Sequence, residues 1–221
     1  MISIPSKVEE IVNTSPYLRE AMTDYLINLS GLARHLQPRI AEELKKPVTA
    51  ESIFMALQRL QKKLEPFYEV NPAEYLANLG LRSDLFEITV KNSSTLLSAL
   101  SKLSASVREN HTNVFVFTQG MDETTVITSK VLRQQLLEAI EHEKITNTID
   151  DLTGITMQRT HGQIETTGVL QYPLRILAWQ GISVIEIVTT LNDIMIIVRD
   201  FEVDQALISI RRALKNLDSK S

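Results

Sequence analysis

Apolar residues recur at three- and four-residue intervals through the first 64 residues, and a helix-start signal stands before each run. Ser6 with Glu9 reads as a capping box, in which hydroxyl and carboxylate each satisfy a free backbone N–H. Ser15 before Pro16 reads as a second start, because proline at the first helical position forfeits no hydrogen bond. Ser30 opens a third helix with the stripe Leu32, Leu36, Ile40 and Leu44, and Pro38 inside it predicts a kink or a split into two short helices. Thr49 caps a fourth, which carries Ile53, Leu57, Leu60 and Leu64.

The period then changes. Pro66, Pro72 and Gly80 punctuate residues 65–82, which read as a linker holding one short helix, Ala73 to Leu79. Phe86, Ile88 and Val90 alternate with polar residues as in a half-buried strand, and Ser94 to Val107 returns to helical spacing through Leu97, Leu100 and Leu103. NVFVFTQ, the turn GMDE and TTVIT give a hairpin signal, followed by a helix from Lys130 to Ile140. The same order recurs: strand Leu152 to Arg159, helix Gly168 to Trp179, strand Ile182 to Thr189, turn Leu191 to Asp193, strand Ile194 to Val198, helix Val203 to Leu217.

The fold class is therefore α+β. An all-helical domain, 1–64, and a linker, 65–82, precede two ferredoxin-like βαββαβ units with antiparallel sheets, 83–142 and 143–221. The last strand of each unit is the open question. Lys144 to Thr148 could close the first sheet, but only DSKS follows the last helix. Either the units exchange a strand or one sheet is a strand short, and exchange is the reading taken.

Composition narrows the classes. A chain of 221 residues with 43% hydrophobic residues can bury a real core, and no apolar run approaches the roughly 20 residues that span a bilayer. With no cysteine and no secretion signal at MISIPSKVEE, a cytoplasmic location without membrane association is the expectation. A net charge of -4 and 5% aromatics argue against coating nucleic acid through bulk charge or stacking.

Tyr25 to Lys63 is locally basic, however, with seven basic residues against three acidic. There INLSGLARHLQPRI resembles the positioning half of a helix-turn-helix, and TAESIFMALQRLQKKL could be its recognition helix. On that reading Ser52, Gln58, Arg59, Lys62 and Lys63, with Met55 beside them, face DNA; on the other, the helices form a dimerisation or docking domain with a solvated charged surface.

No catalytic residues, metal site or cofactor are expected. His35, His111, His142 and His161 lack metal-ligand spacing, and no Gly-rich phosphate loop, GxSxG elbow or paired-carboxylate signature is present. The chain reads as a regulator and not an enzyme.

One segment narrows the reading further. GVLQYPLRILAWQGISVIEIVTTLNDIMIIVRDFEVDQALISIRRAL, with Gly168 opening a helix, Gly181 stopping it, a short turn at Asn192 and Asp193, and Asp204-Gln-Ala at the next helix, resembles the ACT domain family and the regulatory modules of aspartate kinases. The match runs from about Glu165 to Leu214 and is weaker over Leu85 to Ile140, where NSSTLLSAL lacks the opening glycine. The resemblance implies units paired side by side, a homodimer or higher homo-oligomer. It also implies a small ligand, usually an amino acid, held where first strand meets first helix. On this chain the positions are Thr166, Thr167, Gly168, Val169 and Leu170, with Ser183, Ile185, Asn192 and Asp193 as opposite walls. On the residues alone, a tight turn at Gly168 and a helix cap at Thr166 and Thr167 account for the segment equally well.

The functional expectation is an amino-acid-sensing regulator whose tandem ACT-like units bind a small metabolite and control the helical domain, with DNA as one partner that domain could have. The alternative is a non-catalytic dimerisation or regulatory subunit docking onto an amino-acid biosynthetic enzyme.

Overall fold

The computed structural model describes residues 3–65, 76–107, 113–159 and 168–218. The chain divides into two compact units, 1–69 and 70–221.

The first unit holds helices α1 (Ile4–Asn13), α2 (Pro16–Thr23), α3 (Leu29–Leu44) and α4 (Ala50–Gln61). Their apolar stripes meet in one core through Val8, Val12, Met22, Leu36, Ile40, Ile53 and Leu57. Two side-chain amides tie the loops to this core: Gln61 donates to the Met22 carbonyl at 2.8 Å and Gln37 to the Val48 carbonyl at 2.9 Å. Ser15 and Thr49 stand as N-caps where the sequence put them. Two expected caps move. Ser3 caps α1 by accepting the Ser6 N–H at 3.2 Å, which places Ser6 inside the helix, and Asn28 rather than Ser30 caps α3, accepting from Ser30 and Gly31. Pro38 does not split α3: the helix is continuous across it, because Leu32, Leu36 and Ile40 on both sides are buried in the same core. That burial outweighs the one forfeited hydrogen bond.

The second unit is a six-stranded antiparallel sheet with helices. Its strands are β1 (Leu76–Lys91), β2 (Phe115–Gln119), β3 (Glu123–Ser129), β4 (Ile145–Arg159), β5 (Glu186–Thr189) and β6 (Asp193–Arg199), in spatial order β2-β3-β1-β4-β6-β5. Between them run α5 (Leu96–Val107), α6 (Arg133–Ala139), α7 (Gln171–Trp179) and α8 (Val203–Asp218).

β1 and β4, 16 and 15 residues long, pair with each other along nearly their whole length. The half of β1 before Asp84 pairs only with the half of β4 that borders β6, and the half after Asp84 lies between β3 and the start of β4. Residues Leu76 to Arg82, expected in a linker with a helix from Ala73 to Leu79, thus form a strand beside Gly154–Arg159. Residues 73–75 of that expected helix lie outside the described residues. The first half of β1 thus borders the part of β4 that pairs with β6, as the exchange reading expects.

Each long strand carries one extra residue near its centre. From Arg82↔Gly154 to Leu85↔Leu152 β1 advances three residues against two, and from Leu85↔Leu152 to Glu87↔Ile149 β4 does the same. Asp84 and Asp151 sit in these bulges, both with φ of 56°, a left-handed conformation that aspartate tolerates better than most residues. A single inserted residue exchanges the two faces of a strand. After its bulge, β1 turns Phe86, Ile88 and Val90 toward α5 and α6, and after its own, β4 turns Ile155 and Met157 toward α7 and α8. Charged contacts brace the bulges: Lys130 bonds Asp151 at 2.7 Å, Arg133 bonds the Asp150 carboxylate, and Arg199 donates to the Asp150 carbonyl at 3.2 Å. Lys130 pulls the Asp151 carboxyl below its ordinary range.

The other face of the sheet holds a smaller core with no residue of the described helices in it: Leu85, Ile127, Leu152, Met195 and Ile197, flanked by Val114, Ile149, Ile185 and Val188. Gly154 lies within it. A Cβ there would fall 2.7 Å from Met195 Sδ, so the thioether occupies the space a side chain would need. Glu87 is on this face, 6% exposed, and its Oε2 has no hydrogen-bond partner. Burial raises its pKa, the Glu186 carboxylate raises it further, and Arg199 opposes the rise.

Gly154→Val is expected to destabilise the unit by about 1–3 kcal/mol through overpacking. Met195→Ala in the same chain should make the two losses less than additive in a double-mutant cycle read by denaturant melts. Because the folded state holds the Glu87 proton more tightly than the unfolded chain does, stability falls as pH rises from the ordinary glutamate pKa through the raised one. Glu87→Met should therefore stabilise the fold by about 1–3 kcal/mol at neutral pH, an advantage that shrinks as pH falls through the raised pKa and is least below about pH 4. Thermal melts of both chains across that range provide the check.

Candidate functional site

Thr166 and Thr167 lie outside the described residues. The described chain resumes at Gly168, whose φ of 87° belongs to the left-handed region, and the Gly168 carbonyl accepts the Tyr172 N–H at 3.2 Å as α7 begins. Val169 is buried in the core between sheet and helices, and Leu170 packs half-buried against it. Leu170 holds the N-cap position of α7, and its own side chain makes no capping hydrogen bond. The start of a helix, where the dipole is positive, suits a carboxylate in general. At the other end Gly181, φ 71°, closes α7, with the Ile182 N–H reaching back to the Leu177 carbonyl at 3.0 Å.

The corresponding turn before α5 is built differently. Ser93 Oγ accepts the N–H groups of Thr95 and Leu96 at 3.3 and 3.1 Å, and the Thr95 hydroxyl donates to the Glu143 carboxylate at 2.6 Å. Bonds from Thr95 and Ser93 hold the Glu143 carboxyl below its ordinary pKa. This helix start is satisfied by the chain's own hydroxyl, with a carboxylate of the chain beside it.

The proposed opposite walls do not form a single surface. Ile185 donates its N–H to the Ile197 carbonyl at 2.8 Å and packs its side chain on the helix-free face, with Ser183 exposed two residues before it. Asn192 and Asp193 lie in the β5–β6 turn, where Thr190 and Asp193 are joined by two hydrogen bonds of 2.8 and 3.1 Å. Ile185 and Thr190 are thus separated by the length of β5, roughly 16 Å at about 3.3 Å per residue. The turn is tied to the end of β4, where the Asn192 carbonyl accepts the Arg159 N–H at 2.7 Å.

Asp193 also lines a groove of about 600 Å³ on the helix-free face. Asn78, Gly80 and Arg82 of β1, Thr156 and Gln158 of β4, and Met195 of β6 line it, together with residues 113–116 and the segment Val188 and Thr190. Residues of both edge strands, β2 and β5, meet there, so the sheet curves strongly over this face. None of these positions except Asp193 was singled out by sequence, because their convergence depends on the β1–β4 register.

Gln58, Arg59 and Met55 on α4 and Lys62 and Lys63 just after it are exposed, and the three cations form no ion pair among the described residues. Ser52 is engaged in the helix start, its N–H on Thr49 Oγ1 and its hydroxyl on the Thr49 carbonyl. His35 and His142 are exposed, while His111 and His161 lie outside the described residues. No group of three metal-ligating side chains occurs among the described residues, and no described helix is long and apolar enough to cross a membrane.

No protein-family model matches the chain, and no curated protein matches it in sequence. Solved structures do. A chain of the aspartokinase alpha and beta subunits aligns over 66% of this chain and 99% of its own, with a TM-score of 0.54 and 14% identity. The ligand-free regulatory subunit of aspartate kinase from Thermus thermophilus aligns over 63% of this chain and 97% of its own, with a TM-score of 0.51 and 18% identity. Aspartate kinase from Clostridium acetobutylicum aligns over 63% of this chain but 34% of its own, with a TM-score of 0.52 and 13% identity. At these identities the comparisons establish the fold: the sheet-bearing unit has the fold of aspartate kinase regulatory regions.

Proposed function

We propose that the chain is a non-catalytic regulatory protein whose sheet-bearing unit senses an amino acid and whose helical unit, residues 1–64, carries the response. The observation that carries this reading is the strand exchange. Leu76–Arg82 completes the half formed by the end of β4, α7, β5, β6 and α8, and the start of β4 completes the half formed by β1, α5, β2, β3 and α6. Read so, the sheet comprises two interleaved ferredoxin-like units of the ACT type, and its likeness extends over nearly the whole of two chains, one of them described as a regulatory subunit. E. coli aspartokinase III, aligned at a TM-score of 0.50, was solved with aspartate and ADP. The left-handed Gly168 at the start of α7 supports the second unit as the ligand-binding one, with Thr166, Thr167, Val169, Leu170, Asn192 and Asp193 around it. The self-satisfied start of α5 argues against a ligand at the first.

Alignment with a separate regulatory subunit also favours action on another protein, by self-association through the open edges of β2 and β5 and docking of the helices. A sensor of this kind responds only if its ligand favours one state over another.

Thermal melts against each of the twenty amino acids are the test. At a ligand concentration of about 100 Kd the effective ligand should add about 2.7 kcal/mol, a shift of several degrees. Gly168→Ala, strained at positive φ, should weaken that ligand by tenfold or more. An unchanged melt with all twenty would remove the sensing role.

A further inference from the structure

The groove on the helix-free face presents one guanidinium and one carboxylate, Arg82 and Asp193, and neither is in an ion pair among the described residues. Arg82 makes only a 3.2 Å bond to the neighbouring Leu81 carbonyl, which leaves most of its five donors unspent. Between the charges lie carboxamides and hydroxyls, of which Asn78 and Gln158 hold each other at 2.7 Å. The floor is built without spare room: a Cβ on Gly80 would meet Thr156 Oγ1 at 2.8 Å, and Met195, almost fully buried, fills the space above Gly154. At about 600 Å³ the groove falls in the size range of small-molecule sites, roughly 300–1,000 Å³, and has their mixture of apolar floor and few polar groups.

We propose that this groove is a binding site for a small zwitterion, with Arg82 taking its carboxylate and Asp193 its ammonium. The chemistry belongs equally to a free α-amino acid and to a short peptide. Apart from Asp193, which borders both, the site is distinct from the turn at Gly168 and lies on the opposite side of the sheet from the core that buries Val169. It is also bounded by both edge strands, so an occupant would fix the curvature of the sheet and the spacing of β2 from β5. The proposal rests on the sensing role only in its choice of ligand class.

The experiment is calorimetric titration of the full chain with the twenty amino acids and with Ala-Leu, each positive ligand repeated as its N-acetyl and its C-amide form. Spectra of ¹³C-methyl-labelled methionine report on Met195 in parallel. The proposal expects a ligand that loses binding when either terminus is blocked, shifts the Met195 methyl, and weakens at least tenfold in Arg82→Gln and in Asp193→Asn. Both residues are exposed, so an unchanged melting curve certifies that the variants fold. A free amino acid as the positive ligand identifies a metabolite site, and Ala-Leu alone identifies a peptide site. Arg82 belongs to the groove and not to the glycine turn. Binding that survives Arg82→Gln within twofold, leaves the Met195 methyl unmoved and is lost in Gly168→Ala overturns the groove and leaves the sensing role standing. No heat with any probe overturns both.

Discussion

The hydrogen-bonded pairing of β1 with β4 is the constraint on which the second unit depends. Because each strand carries one extra residue beside its midpoint, the register lost at Asp84 is recovered at Asp151. The sheet therefore continues unbroken while the strand faces exchange. One consequence is that Phe86, Ile88 and Val90 reach the core of α5 and α6 while Ile155 and Met157 reach that of α7 and α8. Another is that Leu85 and Leu152 meet on the opposite face, where they seed a core shared by both halves. Neither half has a complete sheet without the other. An unpaired strand edge in an isolated half would be costly and prone to pairing with other chains.

Much of this was legible in sequence. Period-2 and period-3.6 patterns located most of the strands and helices. The giving strand was not legible, since Pro72 and Gly80 made its neighbourhood read as a linker and its alternation is broken where Asn78 adopts a φ of 50°. A signal was nonetheless there. Asp84-Leu85 with Ile88-Thr89 recurs as Asp151-Leu152 with Ile155-Thr156, a short repeat marking the two bulges. Caps were legible to within a few residues: Thr49 is the cap expected, whereas Ser6 and Ser30 each yielded to a residue two or three positions earlier that could reach the same free N–H groups.

The site divides along the same line. Gly168 and Gly181 are visible in sequence because positive φ leaves a residue-type signature, and both adopt it. The groove leaves none, because Arg82, Gln158 and Asp193 come together only through strand register and sheet curvature. The difference between the two helix starts lies between these cases. The missing glycine at NSSTLLSAL is readable, but the Glu143 carboxylate that joins that start lies 48 residues from Thr95. Because the two halves share one sheet through β1 and β4, a change in either half acts on strands of the other.

Native-state hydrogen exchange along β1 tests that claim most directly. If the exchanged strands make the sheet one cooperative structure, the protected amides before and after Asp84 will open with the same free energy and the same denaturant dependence, and so will those of β4 on either side of Asp151. Two distinct opening energies, one for each half of β1, would contradict it.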